Sequence, residues 1–189
     1  MTLDQLQTNL LSLIKHQQTS INNEYLQEVS TSIHLKRVQE IILWWRCQQI
    51  SSICPFTTKI LNSYQLFEEV VEKYIFAVNF SPYVENIGDS FIDFICKNEQ
   101  LVVPTIVKSI ALTETALKKV VYDVDANYEV NWDYDPNPIL YALFTKQPIK
   151  DNDFVLGKYN CLISNKYPIL YKVVSVASVT STKDFEATF

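Results

Sequence analysis

The stretch VVYDVDANYEVNWDYDPNP, from Val120 to Pro138, decides how the 189 residues divide. Before it, apolar residues recur at helical spacing. After it come short runs with β character. Within it lie five acids: Asp123, Asp125, Glu129, Asp133 and Asp135. The segment 123–137 reads as a solvated acidic linker with aromatic anchors. Tyr128, Trp132 and Tyr134 are candidate contacts for a partner. Carboxylates suit hard cations such as calcium or magnesium, but the segment lacks the glycine and the ligand spacing of an EF-hand loop.

Upstream, residues 1–122 read as one helical bundle. Thr2 and Gln5 have capping-box spacing, in which each side chain satisfies the other's backbone donor. Leu3, Leu6, Leu10, Leu13 and Ile14 follow on one face. A polar stretch, Gln17 to Asn23, interrupts the pattern, and a short helix fits Tyr25 to Val29. A long helix is expected from Ile33 to Ile53, capped by Ser30, Thr31 or Ser32, with Leu35, Val38, Ile42 and Trp45 buried. Adjacent helical positions point about 100° apart, so Trp44 falls beside that stripe, as a candidate partner contact. Pro55 stops or kinks the helix, and Phe56, Ile60 and Leu61 suggest one more turn. Asn62 or Ser63 would cap the next helix, whose apolar face is Leu66, Phe67, Val70, Val71, Tyr74 and Ile75. Ser81-Pro82 has the form of a cap followed by proline at the first helical position. Gly88 reads as an interruption before Phe91, Phe94 and Ile95. Pro104 opens the last long helix, with Ile106, Ile110, Leu117, Val120 and Val121 facing inward.

Downstream, three runs read as strands: Pro138 to Phe144, Lys158 to Ile163, and Ile169 to Val176. Asp151-Asn152-Asp153 and Ser164-Asn165-Lys166 supply turn chemistry. The expected fold class is therefore α+β. A helical bundle precedes a small antiparallel β-sheet module over 138–177, and 178–189 is a Ser/Thr-rich flexible tail. A small sheet has open edges, which proteins either blunt or use to accept an extended peptide. The third run is the favoured edge, because Lys172 lies among apolar neighbours. Candidate peptide-binding residues there are Leu170, Tyr171, Lys172, Val173 and Val174, joined by Tyr141 and Phe144 from the first run.

Composition excludes several classes. Hydrophobic residues make up 48%, enough for a sizeable core. The net charge of −5 lacks the phosphate-neutralising field of a nucleic-acid binder. Apolar runs such as Ile41 to Trp45 are far short of the roughly 20 residues a bilayer needs, and the N-terminus has no signal-like pattern. The expectation is a cytoplasmic chain. Cys47, Cys54, Cys96 and Cys161 form no C-x-x-C pair and read as reduced and mostly buried. Two glycines are too few for a Gly-rich phosphate loop. His16 and His34 adjoin no nucleophile motif, and no metal-ligand set is legible.

One pattern is more specific. It comprises Leu35-Lys36-Arg37-Val38 with Trp45, Cys54-Pro55-Phe56, and Phe67 through Tyr74. It continues with Phe80-Ser81-Pro82-Tyr83, Gly88, Phe91-Ile92-Asp93-Phe94-Ile95, Pro104, Glu114 and Ala116. Over roughly residues 3 to 122 this resembles the N-terminal helical domain of the HvfC/BufC type, long labelled a DNA-binding domain. The resemblance implies a non-catalytic partner that forms a heterodimer with a TIM-barrel, multinuclear non-haem iron oxidase. Such a subunit recruits the leader of a ribosomally made precursor peptide for cysteine modification. The iron belongs to the enzyme, and this chain needs no cofactor. The C-terminal third does not align with the family residue by residue. A DNA-binding transcriptional regulator is the alternative reading, and an enzyme with an acidic metal site is a third.

Overall fold

The computed structural model describes residues 2–14, 23–78 and 87–176. His16, the polar break from Gln17, the Phe80-Ser81-Pro82-Tyr83 segment and the tail from Ser178 lie outside the described residues. The fold is α+β, with helices on the N-terminal side and a three-stranded antiparallel sheet at the C-terminal end. The chain forms two compact units, Met1–Val103 and Pro104–Phe189. The division precedes the last long helix, whereas the sequence places it after Tyr122.

The first unit contains α1 (Leu3–Ile14), α2 (Glu24–Thr31), α3 (Ile33–Ile53), α4 (Pro55–Ser63), α5 (Phe67–Ala77) and α6 (Ile87–Lys97). Local chemistry starts most of them. The Thr2 N–H donates to Gln5 Oε1 at 3.0 Å, and the Gln5 N–H donates to Thr2 Oγ1 at 3.3 Å, closing the expected capping box. Asn23 Oδ1 accepts from the Leu26 N–H, and Ser32 Oγ from the His34 N–H. Cys54 ends α3, and Pro55 opens α4. The core gathers Ile50, Ile60, Leu61, Val71, Phe91 and Ile95. Tyr74 lies among them, with ring centroids 5.3 Å from Phe91 and 5.6 Å from Phe94.

Several expectations for these helices need correction. Trp45 is 55% exposed and Val38 is exposed as well; α3 buries Cys47 and Ile50 instead. The periodicity is helical, but Leu35 and Ile42 are only half-buried and the packed side lies round to one side of the expected stripe. Neither Asn62 nor Ser63 caps α5. Leu66 precedes it without a side-chain cap, after Gln65 turns the chain at φ 57°. Gly88 does not interrupt α6 but sits buried in its first turn. A Cβ there would lie 2.4 Å from Ile53 Cγ2, so this position serves the close approach of α6 to α3.

The second unit contains α7 (Thr105–Tyr122), β1 (Asn127–Tyr134), α8 (Pro136–Phe144), a 3₁₀ turn (Asp151–Asp153), β2 (Leu156–Ser164) and β3 (Tyr171–Ser175). The strand order is β1-β2-β3. Val130 pairs with Cys161, Trp132 with Tyr159, and Ile163 with Tyr171. Tyr128, Val130, Trp132 and Tyr134 alternate with Glu129, Asn131 and Asp133, the period of a half-buried strand. α7 packs on β1 and β2. The Trp132 indole N–H donates to Thr113 Oγ1 at 3.2 Å in that interface. The covered face buries Val130, Trp132, Cys161, Ile163 and Tyr171. The opposite face is mainly polar, with Glu129, Asn131, Asp133, Lys158, Asn160 and Lys172.

The segment 123–137 is not a solvated linker: most of it is β1, and Trp132 is 1% exposed. Pro138 to Phe144 is not a strand but most of α8. Asp135 Oδ1 accepts from the Asn137 N–H at 3.0 Å, and Pro136 occupies the first turn. The three-stranded count survives because β1 replaces the misassigned strand. Val121 is 58% exposed rather than inward. Leu170 precedes β3 and turns the chain at φ 66°, so it does not alternate with Lys172 and Val174 as a strand residue.

Candidate functional site

The open edge of the sheet is the most distinctive surface feature of the second unit. β3 pairs only with β2 among the described residues. Two hydrogen bonds set its parity. The Ser164 N–H donates to the Leu170 carbonyl at 2.9 Å, and the Val176 N–H donates to the Lys158 carbonyl at 2.8 Å. Leu170 and Val176 therefore turn their backbone groups toward β2, as do Lys172 and Val174 between them. Alternation then turns the N–H and C=O groups of Tyr171, Val173 and Ser175 toward the open side.

α8 meets the start of β3. The Phe144 ring stacks on Tyr171, with centroids 6.2 Å apart and planes 1° from parallel. Phe144 is 49% exposed, and Tyr141, one turn back on the same helix, is 61% exposed. Tyr171 is buried under this shelf. Burial pushes its phenol up, with Cys161 and Asp135 adding to the shift. Lys172 and Val174 project from the other face of β3, and both are exposed. Of the candidate peptide-binding residues, the structure thus brings together Tyr141, Phe144, Tyr171, Lys172, Val173 and Val174. It does so through a helix and a strand joined by the Phe144–Tyr171 stack, not through two strands. Leu170 lies in the preceding turn.

The candidate partner contacts scatter. Trp132 is core and is removed from that set. Tyr128 and Tyr134 are half-buried on the α7 side of β1, and the Tyr134 ring meets Phe154 edge-on at 5.7 Å. Trp44 is 59% exposed in the first unit, with its centroid 6.2 Å from that of Trp45. Together with Val38 and Ile41 the two rings form an exposed apolar stripe along α3. Arg37 is exposed on the same side.

The carboxylates of 123–135 do not converge. Asp123 Oδ1 accepts from the Asp125 N–H, Glu129 pairs with Asn160, Asp133 pairs with Lys158, and Asp135 caps α8. No cluster of three or more potential metal ligands occurs among the described residues. Burial raises the Cys47 thiol to about 11, with Glu68 adding to it, and raises the Cys161 thiol to about 12. Both are protonated at neutral pH and are poor nucleophiles there. His34 is exposed at the start of α3. No helix among the described residues is long and apolar enough to cross a membrane.

α8 is the part of the candidate site whose helical form the sequence reading passes over. Its signal was present in Asp135-Pro136, a capping acid followed by proline at the first helical position. Comparison with known proteins finds no matching family model, no matching curated protein and no matching solved structure.

Proposed function

We propose that this chain is a non-catalytic, cytoplasmic partner subunit that recruits the leader of a ribosomally made precursor peptide to a TIM-barrel non-haem iron oxidase. The observation carrying this reading is the open β3 edge beside the exposed aromatics of α8. An extended leader adds there as a fourth strand. Its backbone satisfies the outward N–H and C=O groups of Tyr171, Val173 and Ser175, and its alternate side chains rest against Tyr141 and Phe144. The α3 stripe of Val38, Ile41, Trp44 and Trp45 is the docking surface for the oxidase. Exposed aromatic anchors of this kind dominate interface energetics. The iron and the chemistry belong to the enzyme. The resemblance over residues 3 to 122 supports the same assignment, and the net charge of −5 weighs against a DNA-binding role.

Coexpression with its gene neighbours, followed by affinity purification, tests the assembly. The expected product is a complex with an iron-containing oxidase and a cysteine-bearing precursor. Val173→Pro tests the edge, because it removes an outward donor from a half-buried position. Leader affinity should fall at least tenfold while the helical signal and oxidase binding persist. Unchanged affinity in the folded variant places peptide binding elsewhere. Sequence-specific duplex binding at physiological salt, without any peptide complex, replaces this reading with the regulator.

A further inference from the structure

The chemistry of the β3 edge is asymmetric, and the asymmetry specifies more than an extended backbone. On the α8 side of the edge, any added strand meets the rings of Tyr171 and Phe144 and the methyls of Val173. On the other side it meets Lys172. The residue across from Lys172 on β2 is Leu162, so no carboxylate opposes it within the sheet. The nearest acids on that face, Glu129 and Asp133, lie on β1 and pair with Asn160 and Lys158. Lys172 makes no ion pair among the described residues.

The parity of β3 adds a geometric point. In an antiparallel addition, Tyr171 and Val173 form the hydrogen-bonded pairs with the incoming strand, whereas Lys172 falls at a non-hydrogen-bonded pair. Side chains approach most closely at such pairs, with Cα atoms about 4.5 Å apart. A residue opposite Lys172 therefore has its side chain beside the ammonium. Opposite charges directly across a pair stabilise it, and like charges destabilise it. The two flanking residues of the incoming strand point to the other face, toward the aromatic shelf.

Resting on the peptide-recruiting reading above, we propose that this edge selects an extended segment with an apolar–acidic–apolar core. The carboxylate lies opposite Lys172, and the two apolar side chains lie against the side bearing Phe144 and Tyr171. Register follows from the same arrangement. A slip by one residue would put the carboxylate against the aromatic rings and an apolar side chain against Lys172.

Three fluorescein-labelled synthetic peptides of about nine residues test this. They share valine at both flanking positions and differ only at the centre, which is Glu, Gln or Lys. With the full-length protein at low salt, fluorescence anisotropy should show the Glu peptide binding roughly three- to tenfold more tightly than the Lys peptide, with Gln between. Lys172→Glu is a surface change that preserves the fold, and it should reverse the order. Raising the salt should narrow the difference, because the pair is exposed. Equal affinities for the three peptides, or no reversal in Lys172→Glu, overturn the charge selection. If Val173→Pro still abolishes binding in that case, the docking edge itself stands. If no peptide binds, or Val173→Pro leaves binding intact, the edge reading fails and the selection fails with it.

Discussion

Gly88 and Trp132 show how single residues are set by what they touch. Gly88 lies where α6 meets α3, and a methyl group there would collide with the Ile53 side chain at 2.4 Å. The Cys54 thiol donates to the Gly88 carbonyl at 3.9 Å, a weak contact that tells of the same close approach. Gly88→Ala should lower stability by about 1–3 kcal/mol through overpacking. Helix propensity acts in the opposite direction, since alanine is favoured over glycine by about 1 kcal/mol inside a helix. The double variant Gly88→Ala with Ile53→Ala should therefore show positive coupling in urea denaturation, with the two costs less than additive. A Gly88→Ala variant as stable as the parent would mean that Ile53 yields without cost. Trp132 is the converse case. It sits in an acidic sequence, yet its ring is buried and its one donor is satisfied by Thr113. An indole with a partner for its N–H can be core, whatever the charge of its chain neighbours.

At the scale of elements, helix ends carry the local code and two of them carry strain. α4 ends in a Schellman arrangement. The Leu66 N–H donates to the Leu61 carbonyl at 2.9 Å, and the Gln65 N–H donates to the Asn62 carbonyl at 3.0 Å. The residue between must turn left-handed, and it is Gln65 at φ 57°. α8 ends with Lys146 in the same left-handed conformation, at φ 57°, its N–H donating to the Leu143 carbonyl at 3.3 Å. Glycine is the usual occupant of such positions, because a Cβ is disfavoured there. Both side chains are exposed, so little packing is lost on their removal. Gln65→Gly should raise stability by about 0.5–1 kcal/mol, read as a higher denaturation midpoint with an unchanged slope. A lower midpoint would show that the greater freedom of glycine in the unfolded chain outweighs the relief of strain. The same view of elements explains the edge. α8 is short, but the stack of Phe144 on Tyr171 brings its exposed aromatic residues, Tyr141 and Phe144, to the start of the edge strand.

For the whole molecule, the buried titratable groups predict how stability responds to alkali. Cys47 rises from an ordinary 9.0 to about 11, and Cys161 from 9.0 to about 12, chiefly because burial disfavours the thiolate. The folded state thus holds these protons more tightly than the unfolded chain. Below pH 9 both states are protonated, and the full contribution to stability is present. Above pH 9 the unfolded chain loses its thiol protons first, so stability falls as pH rises toward 11–12. The slope approaches about 1.4 kcal/mol per pH unit for each group. The phenols of Tyr74 and Tyr171, raised chiefly by burial, act in the same direction at higher pH. Urea denaturation at pH 8, 9.5 and 10.5 should show this decline. Replacing Cys47 and Cys161 by alanine should make it shallower. An equal decline in that variant would assign the effect to other groups.

Sequence by itself determined that the first unit is built of helices, and it placed the start of α1 and both ends of α3 closely. α3 runs over Ile33–Ile53 as its pattern and caps require; Thr2 and Ser32 act through hydrogen bonds within the next turn, and Pro55 through its fixed φ and missing N–H. Such signals are local, so they can be read without knowing the fold. It also determined that a three-stranded antiparallel sheet lies near the C-terminus. Tertiary structure decided which face of each element is covered. Val38 and Trp45 fit an apolar helical stripe, but the core lies against Cys47 and Ile50, and periodicity alone does not say which stripe finds a partner. It also decided the identity of the strands. The acids of β1 suggest a solvated loop until α7 covers the alternate residues Val130 and Trp132. The run Ile139 to Phe144 is too short and too apolar for its period to separate helix from strand. The candidate edge depends most on this level. Phe144 and Tyr171 are far apart in the chain, and only the packing of α8 beside β3 stacks their rings.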